Sequence, residues 1–178
     1  MQGAALDRDT ILQLILAKPP LVEGGRDLPA QLQANGIDLT LQSVEAFTEP
    51  GQLGVTNATR KLAATQEMRF GTAGYINLAK GPYLITLNEI VNLPLDVMAL
   101  GKPRSSLLRS GVTIHNAVWD AGYRGRSQAL LVVEHPQGFR LARDARVLQL
   151  VFFRLEKATS QGYEGKYQGE NTGGPTSP

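Results

Sequence analysis

Residues 104–125 contain the side chains best suited to chemistry in this chain, in the order RSSLLRSGVTIHNAVWDAGYRG. The segment opens with arginine and hydroxyl side chains close together, a combination that suits a triphosphate because guanidinium forks and hydroxyl donors both bind its oxygens. These side chains are Arg104, Ser105, Ser106 and Arg109. A solvated turn before a strand is the alternative interpretation of the same residues.

The same segment ends with a lone carboxylate beside an aromatic ring. Asp120 follows the apolar run 112–119 and precedes Ala121-Gly122, so it is either a turn-forming residue or a general base that orients a water molecule. Tyr123 is either a packing residue or a flat surface against which a sugar can lie. On the residues alone, both alternatives stay open.

A third candidate element lies in the polar, glycine-rich stretch GYEGKYQGENTGGPTSP at residues 162–178. This composition favours a flexible terminus. It also suits a flap that closes over a polyanion, with Lys166 on phosphate and glycines that permit close backbone approach. We therefore predict a single domain over residues 1–161, followed by a flexible C-terminal flap over residues 162–178.

Composition limits the kinds of protein and site that this chain can form. A chain of 178 residues, 42% of them hydrophobic, fits one domain with an ordinary core. Cysteine is absent, and His115 and His135 lack the neighbours of a zinc motif, so we expect no transition-metal site built from protein ligands. A net charge of +2 without long basic runs argues against a nucleic-acid partner.

The sequence also gives no sign of a membrane association. No apolar run approaches the ~20 residues that a membrane-spanning helix needs. The N-terminal sequence MQGAALDRD lacks the basic start and apolar core of a signal peptide. We therefore expect no membrane partner and a cytoplasmic location.

Most of the elements that must position these side chains are predicted to be strands. One helix is predicted over residues 7–18, capped by Asp7 or Asp9 and stopped by Pro19-Pro20. Short runs separated by glycine and proline predict strands at 37–41, 75–78, 83–87, 112–119, 127–133 and 147–153. Residues 48–70 have weak periodicity and predict a long loop. Many short strands with such turns favour a sandwich, jelly roll or barrel with a short N-terminal helix.

Segments along most of the chain, taken together and in order, resemble the superfamily of dCTP deaminases and dUTPases. They are LDRDTI, GIDLTL, LAKGPYLITLNEIVNLP, RSSLLR, WDAGYRG, RVLQLVF and GKYQGE…GPTSP. Among these, RSSLLR matches the R-S-S-x-x-R phosphate motif, and WDAGYRG resembles the D-x-G-[FYW]-x-G motif. The resemblance implies a mainly β fold, a distorted β-barrel or jelly roll of the dUTPase-like β-clip type. It also implies a homotrimer with sites at the subunit contacts.

The resemblance further implies a role for particular residues. Asp120 would be the catalytic residue. Phosphate binding would involve Arg104, Ser105, Ser106, Arg109, Gln149, Lys166 and Gln168. The sugar and base would lie against Tyr123, Gln128, Ala129, Leu130 and Tyr163. Mg²⁺ would be held mainly through the phosphates of the substrate, without a set of protein ligands.

Position 130 separates two activities within the superfamily. The deaminase branch has a glutamate ten residues after the motif aspartate, where it activates the attacking water, and this chain has Leu130 there. Glu134 lies four residues further along, or ~13 Å on a strand. Because leucine cannot transfer a proton, we predict hydrolysis of dUTP to dUMP and pyrophosphate, with Asp120 as the base. A dCTP deaminase, bifunctional or not, and a non-catalytic nucleotide-binding regulator are the alternatives.

Overall fold

The computed structural model describes residues 5–173 of the chain. The first four residues of the predicted domain and the last five of the predicted flap lie outside the described residues. Within the described part, none of the helices is both long and apolar enough to cross a membrane.

Antiparallel strands make up most of the described residues. The helices are α1 (Arg8–Leu16), α2 (Leu28–Gln31) and α3 (Ser105–Leu108), with a short 3₁₀ helix at Asn57–Thr59. The strands are β1 (Val22–Glu23), β2 (Leu32–Gln33), β3 (Gly36–Phe47), β4 (Thr65–Glu67), β5 (Tyr75–Leu78), β6 (Gly81–Leu87), β7 (Ile90–Asn92), β8 (Val97–Pro103), β9 (Val112–His115), β10 (Arg124–Gly125), β11 (Gln128–Val133), β12 (Phe139–Ala142) and β13 (Arg146–Arg154).

The N-terminal helix α1 begins where its capping residue predicts. The Asp7 side chain accepts hydrogen bonds from the backbone N–H groups of Asp9, at 2.9 Å, and Thr10, at 3.0 Å. Asp7 is therefore the cap, and Asp9 lies in the first turn. The helix ends at Leu16, before the predicted end at residue 18, because Ala17 is already extended and Pro19 disfavours a helical conformation at the residue before it.

The main sheet curls into a nearly closed barrel. Its strand order is β8-β13-β3-β6-β11-β9, and β2 and β4 also pair with β3. The two edges meet where Ala99 of β8 forms a bridge with Trp119. Nearby, a Cβ on Gly101 would lie 2.4 Å from Asn116 Nδ2, so a larger residue there would displace the Asn116 side chain. The predicted mainly β, barrel-like fold with a short N-terminal helix is confirmed.

The predicted strands all have counterparts, but some of their bounds differ. The strand predicted at 112–119 ends at His115, since the chain leaves the sheet before Trp119 returns to bridge Ala99. The predicted loop at 48–70 contains the 3₁₀ helix and β4. The short elements α2, α3, β1, β2, β7, β10 and β12 were not predicted, because elements of two to four residues show little periodicity. The seven-residue strand β8 was also missed, because its glycine and proline are typical of turns.

The core lies inside the barrel and is formed by the inward-facing residues of its central strands. Fully buried members include Leu39, Leu41, Ile85, Leu87, Leu131, Leu148, Leu150 and Phe152. This apolar interior makes any polar group beside it costly unless that group has a hydrogen-bond partner.

One carboxylate, that of Glu89, is fully buried beside the central strand β3. It accepts hydrogen bonds from Gln31 Nε2 at 2.8 Å, from the Thr40 N–H at 2.8 Å and from the Thr40 hydroxyl at 2.7 Å. Burial raises the pKa of Glu89 above its ordinary value, and these hydrogen bonds oppose the rise. The contacts join α2, β3 and the turn before β7, so they tie together three parts of the fold.

We predict that replacement of Glu89 by Gln lowers the free energy of unfolding by about 1–3 kcal/mol at low pH. The protonated carboxyl presents one O–H, which the Thr40 hydroxyl oxygen can accept, whereas the amide presents two N–H groups to a pocket lined by donors. Because the pKa of Glu89 is higher in the folded protein than in the unfolded chain, its protonation stabilises the fold. This contribution to the free energy of unfolding is fully present below the unfolded-state pKa of 4.5 and is lost as the pH rises through the folded-state pKa. The difference between wild type and variant should therefore narrow from about pH 4.5 upward in urea denaturation.

Glu134→Gln is the matched control, since Glu134 is exposed and its nearest cation, Lys80, lies 3.9 Å away. This control should unfold like the wild type at every pH. A difference between wild type and Glu89→Gln that stays constant with pH would contradict the prediction.

Candidate active site

The predicted phosphate motif folds into α3 and the residue before it. Arg104 precedes the helix and is partly buried, while Ser105, Ser106 and Arg109 are exposed. Arg104 and Ser105 line a cavity of about 420 Å³ together with Gln149 of β13 and Asp38 of β3. We call this space the basic cavity. The structure therefore brings Arg104, Ser105 and Gln149 together, and leaves Ser106 and Arg109 on the exposed surface of α3.

Asp38 orients this motif and was not predicted as a site residue. Its buried carboxylate lies 2.9 Å from Arg104 Nε and 3.5 Å from Arg146 Nη1. Burial raises the pKa of Asp38, and the charges of the two arginines oppose the rise. A carboxylate inside the otherwise apolar strand segment GIDLTL was the available signal, because a buried charge needs a cationic partner.

Asp120 lies at the other end of the predicted segment, directly after the bridge formed by Trp119. Its side chain is exposed, and its backbone oxygen accepts a hydrogen bond from Tyr123 N–H at 3.1 Å. It lines two cavities at once. One, of about 290 Å³, also contains Tyr123, Tyr163 and Gln128, and we call it the aromatic cavity. The other, of about 340 Å³, extends toward Met98 and is called the outer cavity.

The strand beside the aromatic cavity has an open edge. Strand β9 pairs with residues 130–133 of β11, whereas β6 pairs with all of residues 128–133. Among the described strands, none therefore covers Gln128 and Ala129 on the β9 side. Their backbone groups on that side can hydrogen-bond to the edge of a ligand, and Gln128 lines the cavity.

Leu130 carries no group that could transfer a proton. It lies on β11 between Leu84 of β6 and His115 of β9. Glu134 lies beyond the end of β11 and is paired with Lys80 at 3.9 Å. No carboxylate therefore replaces the missing glutamate from within β11.

The C-terminal segment 163–171, which we call the strap, lies against residues 121–126 of its own chain. Gly169 N–H donates to the Arg124 oxygen at 2.7 Å, and Arg126 N–H donates to the Glu170 oxygen at 2.9 Å. The Gln168 side chain accepts from Arg124 N–H at 2.8 Å and donates to the Gly122 oxygen at 2.9 Å. Lys166 is exposed beside Tyr167. The structure thus does not bring Lys166 or Gln168 to the basic cavity.

The strap adds a second carboxylate to the aromatic cavity, which was not predicted. Glu170 Oε1 accepts a hydrogen bond from the Tyr123 hydroxyl at 2.8 Å. Burial raises the pKa of both groups, and the hydrogen bond with Tyr123 opposes the rise at Glu170. No local pattern could have revealed this contact, because its two residues lie 47 positions apart in sequence.

The basic and aromatic cavities lie apart on the subunit. Arg104 follows β8 directly, whereas Trp119, next to Asp120, pairs with Ala99 near the start of that strand. The four steps along the strand from Ala99 to Pro103 span about 13 Å. Two large apolar side chains near this bridge are exposed: Leu100 on β8, at 38%, and Val118, which lines the aromatic cavity, at 49%.

Comparisons with known proteins agree with this architecture. Residues 5–155 match the family model described as dCTP deaminase-like. A probable deoxyuridine 5′-triphosphate nucleotidohydrolase of Methanosarcina mazei is 45% identical over 169 residues, covering 95% of this chain and 99% of the relative. A protein with the same description from Archaeoglobus fulgidus is 45% identical over 168 residues, covering 94% of this chain and 98% of the relative.

A solved structure shares the fold. The 2′-deoxycytidine 5′-triphosphate deaminase from Agrobacterium tumefaciens aligns with a TM-score of 0.66 and 22% identity. The alignment covers 86% of this chain and 49% of that chain, so this protein spans about half of its length. With a family model that matches most of its residues, the chain belongs to the dCTP deaminase-like family.

Proposed function

We propose that the protein hydrolyses dUTP to dUMP and pyrophosphate. The observation that carries this proposal is the pairing of an exposed carboxylate, Asp120, with a leucine at position 130 on the strand beside the same cavity. Asp120 can accept a proton from water, whereas position 130, where the deaminase branch has its glutamate, carries no group that can. The relatives described as dUTP nucleotidohydrolases support the same conclusion.

In this reaction Asp120 accepts a proton from a water molecule as the water oxygen attacks the α-phosphorus of dUTP. The bond between that phosphorus and the oxygen bridging to the β-phosphorus breaks, and pyrophosphate leaves. Arg104, Arg109 and the serine hydroxyls stabilise the negative charge that develops on the phosphate oxygens. Lys166 and Gln168 join them if the docked strap lies against the basic cavity of a second copy.

The donor set of the chain fits Mg²⁺ that arrives with the nucleotide. Among the described residues, no group of three or more His, Asp or Glu side chains is placed to hold a metal ion. Triphosphate oxygens and water are the ligands that Mg²⁺ prefers in such sites. When bound, the ion neutralises charge on the phosphates of the substrate.

A homotrimer with sites between subunits accounts for the separation of the two cavities. The basic cavity carries the phosphate motif and the aromatic cavity carries Asp120, so one complete site takes its halves from two copies of the chain. The exposed apolar side chains of Leu100 and Val118, near the bridge between Ala99 and Trp119, suit a contact with a second copy. The cytoplasm remains the predicted location.

The first prediction of this proposal concerns the products. With Mg²⁺, the protein should convert dUTP to dUMP and pyrophosphate and release no ammonia from dCTP, as measured by anion-exchange chromatography and an ammonia assay. Addition of EDTA in excess over Mg²⁺ should abolish hydrolysis. Ammonia release from dCTP would favour the deaminase, and nucleotide binding without turnover would favour the regulator.

Replacement of Asp120 by Asn should lower kcat by about 10²–10⁴-fold, because the amide cannot accept the proton of the attacking water. The affinity for dUTP, measured by isothermal titration calorimetry, should change little. Asp9→Asn is the matched control, since Asp9 is exposed in the first turn of α1. Wild-type kcat in Asp120→Asn would exclude Asp120 as the base.

Subunit mixing tests whether a site is shared. Arg109→Ala and Asp120→Asn should each be inactive alone. The first lacks an arginine of the phosphate motif, and the second lacks the base. When the two variants are unfolded and refolded together in equal amounts, about a quarter of the subunit contacts should pair two intact halves, and activity should return to about that fraction. If the refolded mixture has no more activity than the separate variants, each site is built within one subunit.

A further inference from the structure

A chain of hydrogen bonds runs through the wall of the aromatic cavity and ends on the strap. Trp119 Nε1 donates to Ser127 Oγ at 2.6 Å, Ser127 Oγ lies 2.9 Å from the Tyr123 hydroxyl, and that hydroxyl donates to Glu170 at 2.8 Å. An ionised carboxylate can only accept, so Tyr123 donates to Glu170 and Ser127 donates to Tyr123. Glu170 therefore sets the direction of the two bonds that the Tyr123 hydroxyl makes, whereas the Trp119 indole can only donate.

The backbone holds Glu170 in this position independently of its side chain. Its carbonyl oxygen accepts from Arg126 N–H at 2.9 Å, and the next residue, Asn171, donates from its side chain to the Arg126 oxygen at 3.0 Å. A Cβ on Gly125 would lie 2.4 Å from the Tyr123 hydroxyl oxygen and 3.1 Å from Glu170 Cγ. The space at Gly125 is thus required for the contact between tyrosine and glutamate.

The strap also holds the Tyr123 ring from a second side. Tyr163 packs edge to face against it, with ring centroids 5.7 Å apart and an interplanar angle of 71°. The Tyr123 side chain is only 6% exposed, so its ring has little room to tilt while both contacts are in place. The part of the cavity wall that faces a bound sugar is therefore fixed by residues of the strap.

We propose that Glu170 is a specificity-determining residue, which positions the Tyr123 ring so that the site accepts a 2′-deoxyribose and excludes a ribose. The inference rests on the proposed function, because it assigns the aromatic cavity to the nucleoside. Without Glu170, the buried hydroxyl of Tyr123 keeps only Ser127 as a partner. The ring then loses its hydrogen bond to the strap and can tilt away from the cavity. If the Tyr123 ring can move, the cavity has room for the 2′-hydroxyl of UTP. If the ring is fixed, it clashes with that hydroxyl.

Four single variants test this role. Glu170→Ala removes the acceptor, Glu170→Gln keeps an oxygen that can accept, and Tyr123→Phe removes the donor while it keeps the ring. Glu164→Ala is the matched control, since this carboxylate also lies in the strap but accepts from Gln161 rather than from Tyr123. Binding of the non-hydrolysable α,β-imido analogues of dUTP and UTP is measured by isothermal titration calorimetry, together with kcat/KM for dUTP and UTP.

We expect Glu170→Ala and Tyr123→Phe each to lower the preference for the deoxynucleotide by about tenfold, the effect of losing one buried hydrogen bond. Combining them should add little, because both remove the same contact. Glu170→Gln should largely retain the preference, and Glu164→Ala should match the wild type. An unchanged preference in Glu170→Ala would overturn the proposal.

Trp119, the one tryptophan in the sequence, reports the contact without any nucleotide. Its fluorescence should change in Glu170→Ala and remain as in wild type in Glu164→Ala. Unchanged fluorescence in Glu170→Ala would overturn the hydrogen-bond chain itself. A wild-type protein that binds the dUTP analogue with the expected preference but does not hydrolyse dUTP would refute the proposed function alone and leave the specificity role to be decided by the binding data.

Discussion

The arrangement of the site depends on two buried carboxylates, Asp38 on the central strand β3 and Glu89 beside it. Asp38 forms ion pairs with Arg104 and Arg146. Glu89 accepts hydrogen bonds from Thr40 and Gln31. Gln31 joins the two, since its side chain donates to Glu89 and to the backbone oxygen of Asp38. Because an unpaired buried charge is strongly destabilising, the stability of the barrel and the orientation of the phosphate motif are coupled.

The barrel is also opened where the ligand is proposed to bind. If β9 continued to Trp119, as its apolar sequence suggests, it would cover the edge of β11 at Gln128. Instead the pairing stops at His115, and Trp119 bridges Ala99 of β8. The same departure from regular pairing closes the barrel on one side and leaves backbone groups free beside the aromatic cavity. The end of β9 at His115 thus has two results, since it lets Trp119 close the barrel and leaves the edge of β11 accessible to a ligand.

The strap gives the aromatic cavity its remaining wall. Its composition favours flexibility, yet it contributes Tyr163, Tyr167 and Glu170 to the cavity and pairs its backbone with residues 124–126. The predicted phosphate ligands Lys166 and Gln168 lie away from the basic cavity in this arrangement. Their phosphate role therefore requires the basic cavity of a second copy next to the strap, whereas the contact between Glu170 and Tyr123 exists within one chain.

The sequence by itself determined what depends on local chemistry and on the order of residues. The capped helix α1, the turn-separated strands, the phosphate motif at Arg104 and the carboxylate Asp120 were all predictable, because turns, caps and motifs are short-range patterns. The loss of a proton-transferring group at Leu130 was equally visible, since it needs only a residue identity. Tertiary structure alone decided which distant groups meet. Asp38 reaches Arg104 and Glu170 reaches Tyr123 only after the barrel has closed and the strap has docked, because these contacts satisfy buried polar groups that no local pattern can pair.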